Sequence, residues 1–197
     1  MAAIAKTAAE LRVSNHVWEK NKNVTGLFHN DSDAGEACAA GFLVKPVSLL
    51  PNAGYTGINN ENAWIMKAAA AADATGEIYF CNTFNAQELE AIDGNIYKVG
   101  ANTIGLPIPA DHRGTFTRID GLEMHDQIRF GEGNFTATPT VGEFATIDDG
   151  LLTPAATAPT DAGTLYFEIM SEGTFTKGAY AGFGYFQVRA HRVLAAG

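Results

Sequence analysis

From Val24 onward the chain is cut into short apolar runs by Gly, Pro, Asn and Asp, spaced roughly ten residues apart. This punctuation constrains the fold more than any other feature. An amphipathic helix needs an apolar stripe sustained over about three turns, whereas a strand needs only about 4–8 residues between turns. The expected class is therefore mainly β: an antiparallel β-barrel or sandwich with an extended N-terminal arm and at most one or two short helices. Candidate strands are 26–29, 41–47, 76–81, 95–99, 114–119, 127–130, 143–147, 164–170 and 184–193.

Turn chemistry supports this reading. Asp93-Gly94 lies between 89–92 and 95–99, and Asp149-Gly150 between 144–147 and 151–153. An Asp-Gly pair between apolar runs favours a tight hairpin whose two central residues have positive φ. Alternation is clearest near the C-terminus. Tyr185, Gln187, Arg189 and His191 fall on one face of a strand, with Phe186, Val188 and Ala190 on the other.

One segment, 59–75 (NNENAWIMKAAAAADAT), is expected to form a short helix. Asn59 or Asn60 would cap it and Gly76 would end it. The alternative makes 63–66 a strand and the alanine run a tight connection. The stretches 136–142 and 153–163 lack long side chains and are expected to be exposed, extended loops. A soft boundary near 113–123 suggests an arm over 1–24, a β-rich module over 25–113 and a C-terminal barrel or sandwich over 114–197.

Charge is unevenly distributed. Residues 1–22 carry Lys6, Arg12, Lys20 and Lys22 against Glu10 and Glu19, a net of +2, so the other residues carry −11 of the overall −9. The segment is either a frayed terminus or an arm that orders on an acidic neighbour. An acidic body disfavours nucleic acid as a partner, because binding there requires cations that displace counterions. No window is long and apolar enough for a membrane span, and the N-terminus lacks the apolar stretch of a secretory signal. Cys38 and Cys81, 43 positions apart, are expected to be free, buried thiols of a protein made in a reducing cytoplasm.

Reactive groups are sparse. The five histidines form no H-x-H or H-E-x-x-H pair, and the four serines lie in no G-x-S-x-G or S-x-x-K context. Residues 31–36 (DSDAGE) begin like a calcium loop, but Glu36 and Phe42 stand where an EF-hand needs Gly and Glu, so an ordinary turn is expected. No catalytic residue, metal ligand or cofactor is assigned, and no enzymatic activity is expected. Carboxylate pairs for glycoside hydrolysis leave a β-sandwich hydrolase as an alternative. Phe175, Tyr180, Phe183, Tyr185 and Phe186 crowd among four glycines. They suit a strand packed into a core or between subunits, with a carbohydrate platform as the other reading.

The stretch Val141-Gly-Glu-Phe-Ala-Thr-Ile147, followed by Asp149-Gly-Leu-Leu-Thr-Pro154, resembles the G-D-F-V-x-x-x-G-x-L strand–turn–strand of small β-barrels in tailed-phage virions. Glu143 stands where Asp is usual. Val99-Gly-Ala101 and Gly105-Leu-Pro-Ile-Pro-Ala110 have the same character. The resemblance covers residues 40–193 and is closest to capsid decoration (cement) proteins; tail-tube and other tail proteins share it.

It implies a non-enzymatic virion protein that is made in the host bacterial cytoplasm and binds and stabilises the assembled capsid. The implied partners are the major capsid protein and copies of itself in a homo-oligomer, with no nucleic acid and no membrane. The expected interface residues are Lys6, Arg12, Trp18, Lys20 and Lys22 of the arm, with Phe183 and Tyr185. The alternative of another class is a β-sandwich carbohydrate-binding module or hydrolase.

Overall fold

The computed structural model describes residues 9–11, 23–49, 63–82, 88–90, 96–98, 107–119, 127–176 and 181–195. Five strands close a barrel in the order β2 (Asn23–Phe28), β4 (Ala63–Ala68), β3 (Leu43–Leu49), β5 (Ile78–Cys81) and β8 (Gly114–Ile119). The chain then passes to an open six-stranded sheet. Its order is β1 (Ala9–Leu11), β9 (Gln127–Gly131), β13 (Gly184–Arg192), β12 (Leu165–Thr174), β10 (Phe144–Asp148) and β11 (Leu151–Ala155). A small antiparallel pair, β6 (Glu88–Glu90) and β7 (Ile96–Lys98), completes the described strands. The mainly β class is thus observed, and no helix of the described residues is long and apolar enough to cross a membrane.

Barrel pairing is antiparallel except between β2 and β4, which run parallel with Thr25 opposite Ala63. Gly26 permits this approach. A Cβ there would lie 2.8 Å from the Trp64 carbonyl oxygen and 2.7 Å from Met66 Cγ. The barrel interior holds Phe28, Cys38, Val44, Met66, Tyr79, Cys81, Ile108 and Phe116.

Alternation in β5 divides its side chains between two cores. Tyr79 and Cys81 belong to the barrel interior. Ile78 and Phe80 pack with Phe130, Phe167, Ile169 and Val188 on the inner face of the sheet. Phe130 is the hinge of that packing, edge-on to Phe80 and to Phe167 at 6.1 Å each. The barrel interior and the core beneath the sheet are thus separate, and β5 contributes to both.

Polar ties reinforce the junction. The hairpin turn between β10 and β11 has φ of 45° at Asp149 and 77° at Gly150, as expected for the Asp-Gly signal. Its tip docks on the barrel: the Leu43 N–H donates to the Gly150 oxygen at 2.8 Å, and the Gly150 N–H donates to Ala69 at 2.9 Å. Arg192 donates to the carbonyls of Ala74 (3.1 Å), Gly163 (2.8 Å) and Gly76 (2.7 Å). Buried Asn134 donates to the Ala40 carbonyl at 2.9 Å.

The helix expected over 59–75 is corrected. Its described part is strand β4, followed by a 3₁₀ turn at Ala71–Thr75. Ala63 and Met66 are buried three positions apart, which imitates helical spacing. In the strand these two residues lie on opposite faces, Met66 in the barrel interior and Ala63 against Leu27 on the other side. The loops expected at 136–142 and 153–163 are partly corrected as well. Thr153, Pro154 and Ala155 belong to β11, and Pro139 is buried.

Candidate functional site

The outward face of the six-stranded sheet gathers aromatic, guanidinium, amide and imidazole side chains. On β13 the inward Phe186, Val188 and Ala190 are buried, and the alternate residues Tyr185, Gln187, Arg189 and His191 are half-buried. Backbone register brings them beside outward residues of neighbouring strands. Arg189 lies opposite Gln127 on β9 and Glu168 on β12, Gln187 opposite Arg129, and His191 opposite Tyr166.

These side chains hold one another in place. The Gln187 side-chain amide donates to Gln127 Oε1 at 2.8 Å. His191 Nε2 lies 3.0 Å from Glu168 Oε2, and its ring stacks on Tyr166 with centroids 5.2 Å apart. Phe144 meets Tyr166 edge-on at 5.9 Å. Arg129 sits over the Tyr185 ring, 4.4 Å from its centroid, within cation–π range.

Tyr185 owes its place to glycine. It is flanked across the sheet by Gly131 and Gly173, and a Cβ on Gly173 would stand 2.6 Å from the phenol ring. The ring also packs on Phe175 at 4.9 Å, in a cluster with Ala40 and Phe183. Phe183 and Tyr185 are thus brought together, both half-buried. The core-packing and exposed-interface readings of the aromatic stretch each describe part of them. Lys6, Arg12, Trp18, Lys20 and Lys22 lie outside the described residues, as do His16, His125 and Tyr180. Of the arm, Ala9–Leu11 is an extended strand antiparallel to β9, with Glu10 opposite Arg129.

Alternation in the sequence exposed the β13 half of this face. It also set Glu168 apart from its apolar neighbours on 166–170, but missed Gln127, Arg129, Tyr166 and Phe144, which reach the face only through strand pairing. The face presents guanidinium and amide donors, an imidazole and aromatic rings. That is the chemistry of recognition surfaces, in which Tyr and Arg dominate the energetics.

A second feature, sharing no residue with that face, is a cleft of about 380 Å³ beside the β10–β11 turn. Phe28, His29, Asp31, Glu36, Phe42 and Asp149 are among its walls. Both ring nitrogens of His29 are buried and make no hydrogen bond within the protein. The 31–36 segment on its rim is a turn: Asn30 Oδ1 accepts from the N–H groups of Ser32 (3.0 Å) and Ala34 (3.1 Å). Asp33 is committed to Lys67 at 2.6 Å, whose hydrogen bond and charge hold that exposed carboxyl below its ordinary range. Among the described residues, no group of three or more His, Cys, Asp or Glu is placed to hold a metal ion. No family of known proteins, no curated protein and no solved structure matches this chain.

Proposed function

We propose that this chain is a non-enzymatic structural protein of a tailed-phage virion, a decoration protein that binds and stabilises the assembled capsid and associates with copies of itself. The observation that carries the reading is the outward face of the six-stranded sheet. Arg129, Arg189, Tyr166, Tyr185 and His191, with Glu168 beside His191, form an aromatic surface bearing two guanidinium groups on a chain of net charge −9. Such a surface suits an acidic protein partner, since interfaces rich in Tyr and Arg concentrate binding energy and complementary charge speeds encounter. The virion-like stretch at 141–154 supports the same reading. It supplies Phe144 to that face, and its turn anchors the sheet on the barrel.

The test is co-sedimentation with expanded capsid shells of a tailed phage. Binding should be saturable, and should fall at least tenfold for Arg129→Glu combined with Tyr185→Ala, with the Tm little changed. Failure to bind the shells would sink the proposal. Assembly of the purified protein into tubes would mark a tail component instead. A glycan-array signal abolished by Tyr185→Ala would mark a carbohydrate-binding module.

A further inference from the structure

Cys38 and Cys81 are 43 positions apart in sequence, yet they meet inside the barrel. Cys81 Sγ lies 3.7 Å from the Cys38 carbonyl oxygen, and both residues are fully buried. Hydrogen bonds fix both backbones. The Gly41 N–H donates to the Cys81 oxygen at 2.8 Å, and the Cys81 N–H donates to Phe42 at 2.9 Å. A turn closed by the Phe42 N–H on Ala39 then folds Cys38 back, where it exchanges two 2.9 Å hydrogen bonds with Ile108. Both thiols are unlinked.

We propose that Cys38 and Cys81 are a disulfide site, closed when the protein meets a low-molecular-weight disulfide such as oxidised glutathione. One cysteine thiolate attacks a glutathione sulfur, expels a glutathione thiolate and leaves a mixed disulfide. The second cysteine thiolate attacks the first cysteine's sulfur and expels the second glutathione. Two cysteine thiols are thereby oxidised, one glutathione disulfide is reduced to two thiols, and the protons pass to the departing glutathione.

In the closed barrel the reaction is held back. Burial, and then the adjoining Cys81 thiol, push the Cys38 thiol well up, and the thiolate is the attacking species. Oxidation therefore proceeds before the barrel closes, or when the exposed 31–37 segment lifts away. Once formed, the bond staples the β2–β3 connection to β5 and closes a long loop, which raises stability by restricting the unfolded chain.

The experiment refolds the full chain from guanidinium in a reduced/oxidised glutathione buffer, beside a sample kept in dithiothreitol. The expected product is a monomer lighter by two hydrogens, with no thiol titratable after denaturation. Its Tm should be higher by roughly 5–15 °C, and dithiothreitol should reverse the gain. Cys38→Ala and Cys81→Ala should each retain one titratable thiol and show no redox-dependent Tm. Recovery of both thiols, glutathione adducts alone, or disulfide-linked dimers would each overturn the proposal.

Discussion

The barrel and the six-stranded sheet are both built of strands, but they dispose of their edges differently. The barrel closes on itself, so each of its five strands has two neighbours. Closure requires one parallel pair and a glycine where backbone and side chains crowd together. The sheet stays open and covers its edges one at a time. At one side β1 lies along β9. At the other, the outer edge of β11 is blunted by Pro154, which has no N–H to offer, while the Leu152 oxygen accepts from the Thr136 N–H at 2.9 Å. A closed barrel has no free strand edge to offer a partner. The open sheet keeps a broad polar face outward, and there the Arg, Tyr and His side chains collect.

Three substitutions probe this contrast. The largest effect is expected from Phe130→Ala. Phe130 belongs to the sheet yet touches Phe80 of the barrel, so its loss should cost about 3–5 kcal/mol and shift one cooperative transition. Two separate melting steps in calorimetry would mean that the regions fold independently. Gly150→Ala comes next. A methyl group there meets the Phe42 ring at 2.2 Å, on a residue with φ of 77°. Backbone strain alone costs roughly 1–2 kcal/mol, and the displaced turn strains the hydrogen bonds to Leu43 and Ala69. Denaturant unfolding reads this as a lower midpoint. Pro154→Thr should change stability least, by less than about 1 kcal/mol. It restores an N–H to the outer edge of β11, so sedimentation velocity should detect stronger concentration-dependent association than in the parent. An unchanged monomer fraction would show that Thr136 alone protects that edge.

Much of the architecture was legible because local chemistry and global fold agree. The expected strand at 114–119 coincides with β8, and Asp149-Gly150 makes the predicted turn. Legibility failed where tertiary pairing decides. At β4, burial of Ala63 and Met66 at a spacing of three looks helical, but the fold covers both faces of the strand, Met66 in the barrel interior and Ala63 against Leu27. The parallel β2–β4 pairing has no short-range signal at all. The site divides in the same way. Tyr185, Gln187, Arg189 and His191 announce a common face by alternation, whereas Arg129 and Gln127 join it only through register. The cleft beside the β10–β11 turn unites Phe42 with Asp149, a proximity that no pattern within either segment reveals.

Barrel closure also dictates an order of events as the chain is made. Val24 pairs with Phe116, 92 positions later, so β2 waits for its second neighbour until most of the barrel's sequence has been synthesised. Contacts so distant in sequence form slowly, because a long loop must be closed before they can contribute. The β10–β11 hairpin, joined by a two-residue turn, can form as soon as it emerges. Its Gly150 then supplies the hydrogen bonds to Leu43 and Ala69 on the barrel side. Synthesis runs from barrel to sheet, but consolidation runs the other way: the late, local hairpin steadies the early, non-local ring.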